Sequence, residues 1–115
     1  MAPQHVSLSA GRWQSFSLME QLANIGSEVA RAGRRQGTDP AAAERACVRA
    51  LELLDLTIQD ERWRGRRNEL TRVRECLCDA RQGGTDYGTT FEALDRYFLP
   101  FAIAANAARE SRMKR

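Results

Sequence analysis

The sequence predicts an all-α chain folded as one compact bundle of about four helices. Three observations predict it. Apolar residues recur at intervals of three and four across most of residues 16–110, and helix start and stop signals flank each such stretch. The composition, 43% hydrophobic and 29% charged in 115 residues, is that of one globular core.

Residues 1–15 mix Pro3, Gly11 and polar residues without period and read as an N-terminal arm, with Trp13 and Phe16 docking its last part. Ser17-Leu18-Met19-Glu20 then has the spacing of a capping box, so the first helix starts at Leu18. Leu18, Leu22, Ile25 and Val29 form its core stripe, and beside them Ala23, Gly26 and Ala30 are small enough for a neighbouring helix to come close. Gly33 and Gly37, with Arg31, Arg34 and Arg35, supply the stop signals.

Asp39-Pro40 opens the second helix as N-cap and first helical residue. Ala43, Ala46, Cys47, Ala50, Leu51, Leu54 and Ile58 follow the helical period, and Val48 and Leu53 widen the arc, which predicts a central helix. A break is expected near Asp60. Beyond it Leu70, Val73, Leu77 and Ala80 define a narrow stripe on a peripheral, charged third helix that ends before Gly83-Gly84.

Residues 83–89 form a glycine-rich connection, and Thr89-Thr90-Phe91-Glu92 repeats the capping-box spacing. The last helix carries Phe91, Leu94, Phe98, Phe101, Ala105 and Ala108 on one stripe. Pro100 inside it removes a backbone bond and predicts a kink, since an unrelieved proline costs about 3 kcal/mol. After Arg109 the pattern fades, and residues 111–115 read as a basic tail on a single domain spanning residues 16–110.

Several chemistries find no support in the residues. The only histidine is His5, in the arm, and Cys76-x-Cys78 sets its thiols roughly 200° apart on a helix, so neither a metal site nor a histidine-activated nucleophile is expected. Small helical nucleases of toxin systems place a histidine shortly after an arginine; Arg96 is followed by Tyr97-Phe98-Leu99-Pro100-Phe101 instead. No phosphate-binding loop is present, and no cofactor is implied. Among the helical carboxylates Glu52, Asp55, Glu75, Asp79 and Asp95, most read as solvated. Asp55 falls on the flank of the apolar arc, where Arg96 or Arg74 would hold it half-buried.

Three cysteines, with no signal-like apolar run, argue against a disulfide framework and for a cytoplasmic location. Cys47 reads as a packing residue. The most apolar stretch, residues 97–105, is too short to span a bilayer.

Net charge is only +3, but seventeen of the eighteen cations are arginine. Arg62, Arg64, Arg66, Arg67, Arg72 and Arg74 crowd around a single acid, Glu69, with Trp63 at the leading edge. Guanidinium groups that grip phosphate beside an indole that stacks on a base would suit RNA or DNA, and the same cluster would suit an acidic protein. Alternatively Glu61, Glu69 and Glu75 neutralise a solvated face.

Three segments carry a resemblance: residues 16–29 (Phe16-Ser17-Leu18-Met19-Glu20-Gln21 and onward to Val29), residues 50–58 (Ala50-Leu51-Glu52-Leu53-Leu54-Asp55 to Ile58) and residues 96–105 (Arg96-Tyr97-Phe98-Leu99-Pro100-Phe101 to Ala105). In these the chain resembles a group of short, uncharacterised prokaryotic proteins, which implies a compact helical fold and attaches no activity. The expected role is a non-enzymatic interaction module, pairing with itself as a homodimer or with another protein; nucleic-acid contact through the arginine segment is second, and an enzyme third.

Overall fold

The computed structural model describes residues 10–114. The arm's residues 1–9, with Pro3 and His5, and Arg115 of the tail lie outside the described residues. The elements are α1 (Ala10–Trp13), α2 (Leu18–Arg35), α3 (Pro40–Gln59), a 3-10 segment (Glu61–Arg66), α4 (Arg67–Arg81) and α5 (Phe91–Met113). The chain is all-α, with no strand among the described residues, and no helix is long and apolar enough to cross a membrane.

The start of α2 is the capping box read from the sequence: the Glu20 N–H donates to Ser17 Oγ at 3.2 Å, and the Ser17 N–H donates to Glu20 Oε1 at 2.9 Å. Asp39 caps α3 by accepting from the Ala42 N–H at 3.1 Å, with Pro40 at the first helical position. The break at Asp60 is real, and a 3-10 segment rather than a direct helix start follows it. α5 differs in detail. Its N-cap is Thr90, which accepts from the Ala93 N–H, because the Thr89 N–H is drawn off by Asp79. The helix passes through exposed Pro100 and continues to Met113, beyond the expected end near Arg109.

Packing follows the stripes. α2 packs against both α3 and α5, while α4 packs against α3 and also touches α5. Leu18, Leu22, Ile25 and Val29 from α2 meet Ala46, Ala50, Leu53 and Leu54 from α3, Leu70, Val73 and Leu77 from α4, and Leu94 and Phe98 from α5 in one core. Buried Thr57 takes the place expected of Ile58, which is half-buried.

The small residues of α2 decide how closely α5 approaches. A Cβ on Gly26 would lie 2.7 Å from Phe98 Cβ, and one on Gly33 would lie 3.0 Å from Phe91 Cβ. Both glycines are therefore seats for phenylalanines of α5. Gly33 is not a helix stop, since α2 runs on to Arg35.

Candidate functional site

The arginine segment occupies the 3-10 segment and the first half of α4, and its charges are largely met from within. Arg62 grips Asp60, with Nη2 to Oδ2 at 2.7 Å, and also donates to the Phe16 carbonyl oxygen at 3.0 Å. Arg66 pairs with Glu69 at 3.0 Å, and Arg67 with Glu61 at 2.9 Å while its Nε donates to the Ile58 carbonyl oxygen. Arg74 holds Asp55 at 2.7 Å, and Arg72 lies 3.9 Å from Glu75 with its guanidinium 5.2 Å from the Tyr87 ring centre. Arg64 alone of the six makes no ion pair among the described residues. Asp55 thus takes Arg74; Arg96 is exposed on α5 and does not meet it.

Trp63 is half-buried, and its indole is not a free platform. Its Nε1 donates to Gln21 Oε1 at 3.0 Å, and the Arg62 guanidinium covers its ring at 4.4 Å. Fully buried Gln21 also donates from Nε2 to the Trp13 carbonyl oxygen at 3.0 Å, and Trp13, only 1% exposed, donates from Nε1 to Thr57 Oγ1 at 2.9 Å. The Arg62 hydrogen bonds hold the Asp60 carboxyl below the usual range, against the upward push of burial. This network ties residues just before α2 to the α3 end of the bundle. Gln21 was legible only as a polar residue three positions after Leu18 on an apolar stripe.

A second polar residue, Asp79, is 2% exposed, not solvated as its sequence context suggests. Its carboxylate accepts from the N–H groups of Asp86 at 2.8 Å, Tyr87 at 3.2 Å and Thr89 at 2.9 Å. Burial pushes this carboxyl up, but the backbone donors of Thr89 and Asp86 prevail and hold it below the usual range. The loop it organises turns through Gly84, at φ +77°, where a side chain would also strike the Thr89 carbonyl oxygen. The sequence did hold a signal: an acid in the last turn of a helix opposes the macrodipole and calls for local donors.

Two further groups are tied down. Tyr97 of α5 donates a short hydrogen bond to Glu69 of α4; burial first, and that bond second, raise its hydroxyl above the usual range. Cys47 is buried, and desolvation followed by nearby Glu44 pushes its thiol up, so it packs rather than reacts. Among the described residues no three His, Cys, Asp or Glu side chains converge on a point that could hold a metal.

The unsatisfied surface lies elsewhere. On the outer side of α5, Leu99 is 58% and Ile103 60% exposed, one turn apart. Leu99 borders a groove between α2 and α5 whose walls are Ala23, Ser27 and Ala30 on one side and Asp95, Leu99 and Ala102 on the other, with Phe98 and Gly26 between them, and Ile103 stands one turn further along α5.

Comparison with family models, curated proteins and solved structures finds no match. What the surface does has to follow from its own geometry. Small side chains on the groove walls admit another backbone closely, and two large aliphatic side chains beside it stand ready to be covered.

Proposed function

We propose that the protein is a non-enzymatic interaction module whose contact surface is the α2–α5 face, serving self-association or the binding of a partner protein. The observation that carries it is the pair Leu99 and Ile103, large aliphatic side chains more than half exposed beside a groove of small residues. Fully burying a leucine or isoleucine contributes about 1.5–3 kcal/mol, so covering these two supplies a contact with a useful fraction of its driving force. A cytoplasmic setting agrees with three thiols that are unpaired among the described residues.

Nucleic-acid contact through the arginine segment has weaker support. Arg62, Arg66, Arg67 and Arg74 would each have to leave a carboxylate of this chain at 2.7–3.0 Å, and Trp63 would have to give up Gln21 and Arg62. Arg64 and the loosely held Arg72 are the cations still available to a phosphate.

A photo-crosslinking residue placed at Ile103, with exposed Arg45 of α3 as control, tests the surface in cells. Covalent protein adducts at 103 and none at 45 are expected. Absence of adducts at 103, or equal adducts at both positions, overturns the reading.

A further inference from the structure

α5 carries two heptad-like rows, and only one of them is used by the core. Phe91, Leu94, Phe98, Phe101 and Ala105 face inward. A second row, Glu92, Asp95, Leu99, Ala102, Asn106 and Arg109, repeats at three, four, three, four and three; Asp95 to Arg109 border the grooves with α2, and Glu92 is exposed one turn before Asp95. Intervals alternating three and four are what a helix needs to pack along a partner helix as a coiled-coil seam.

The order of residues along this row has a symmetry of its own. Turned end for end about the point between Leu99 and Ala102, it sets Leu99 against Ala102, Asp95 against Asn106 and Glu92 against Arg109. Large meets small, a carboxylate meets an amide, and an acid meets a base. In a parallel pairing Glu92 would face Glu92 and Arg109 would face Arg109. From these relations we infer that the proposed contact surface takes a second copy of this chain, with the two α5 helices antiparallel across a two-fold axis between Leu99 and Ala102.

This inference rests on the interaction-module reading and narrows it to one occupant. Closed two-fold pairing requires a self-complementary patch, and the row supplies it. The neighbouring helix permits the approach, since α2 offers the small residues Ala23, Gly26, Ser27 and Ala30 to the groove. Ile103, next to Ala102 on the exposed side, is covered in the same contact. Charges on α2 run in the opposite sense, with Arg34 acting on Asp95 and Arg109 acting on Glu20. The ionic row is thus partly neutralised within each chain, so it sets orientation while Leu99 and Ile103 supply the area.

Sedimentation of the full chain at micromolar concentration should give twice the 13.0 kDa chain mass. Leu99→Glu should return the 13.0 kDa species with an unchanged circular-dichroism spectrum, and Ile103→Glu should do the same should Leu99→Glu fail to fold. Glu92→Arg and Arg109→Glu should each raise the dissociation constant several-fold, and the double variant should restore it. A monomeric wild-type chain overturns the second copy as occupant, while crosslinks at 103 to a different protein would still uphold the contact surface. A dimer that the double variant does not restore overturns the antiparallel pairing.

Discussion

The Trp63 end of the bundle and the outer side of α5 differ in where their bonding capacity goes. Around Trp63, Trp13 donates to Thr57, Gln21 to the Trp13 carbonyl oxygen and Trp63 to Gln21 at 2.9–3.0 Å, while Arg62 grips Asp60 at 2.7 Å and lies over the Trp63 ring. Along α5, Leu99 and Ile103 stay largely in water. The first region holds the most conspicuous residues of the sequence, six arginines and a tryptophan within thirteen positions, and it closes on itself because guanidinium forks find carboxylates nearby. The second reads as a bland alanine-rich helix and holds the open surface. Conspicuous chemistry is not the same as unsatisfied chemistry.

The largest effect expected within this contrast is at the closed end. Trp13→Ala should destabilise by about 3–5 kcal/mol, as deletion of a buried aromatic does, and Thr57→Val by about 1–3 kcal/mol because the Trp13 N–H is left without an acceptor. Urea unfolding measures both. Values below half a kcal/mol would mean that the arm does not dock and that this end is as open as the other.

Gly26→Ala sharpens the contrast on the α2–α5 side. Alanine gains up to about 1 kcal/mol of helix propensity over glycine, but the added Cβ meets Phe98 Cβ at 2.7 Å, and overpacking costs about 1–3 kcal/mol. Net destabilisation is expected in thermal melts; a stabilised variant would show that α5 does not sit on Gly26.

Acid should loosen the closed elements before it touches the open surface. Asp60, Glu69 and Asp79 all have folded-state values held below the ordinary carboxylate range. Their stabilisation is therefore fully present above about pH 5 and is lost as pH falls through the folded values. Hydrogen exchange should show the Asp86, Tyr87 and Thr89 amides losing protection as Asp79 protonates, and Asp79→Ala should remove that protection at neutral pH. Unchanged exchange in the variant would refute the anchoring of the loop.

The smallest effects belong to the exposed groups. Arg64→Ala should change stability by less than about 0.5 kcal/mol, as should Leu99→Ser measured at a concentration low enough to keep the chain monomeric. A larger loss for Leu99→Ser would place that side chain in the core and close the proposed surface.

Most of the helical plan was legible because it is written in local rules. The Ser17–Glu20 box, the Asp39-Pro40 start, the break at Asp60 and the stripes on α2 and α4 depend on residues within a turn of one another. The errors arose where a distant or competing partner intervened. Thr90 rather than Thr89 caps α5 because Asp79 claims the Thr89 N–H, and Gly33 looks like a stop until Phe91 is seen to sit on it.

By itself the sequence determined the helical class, the starts of α2 and α3 and most of the residues that make the core, because periodicity and capping are short-range. Tertiary structure alone decided that Arg74 of α4 would take Asp55 of α3, that Gln21 would be a buried acceptor for Trp63, and that the small residues of α2 would seat α5 at Gly26 while leaving Ala23 and Ala30 at an open groove. Those outcomes depend on distances between segments 20 to 70 residues apart, roughly, which no single helix encodes and only the loop-closed, packed chain sets.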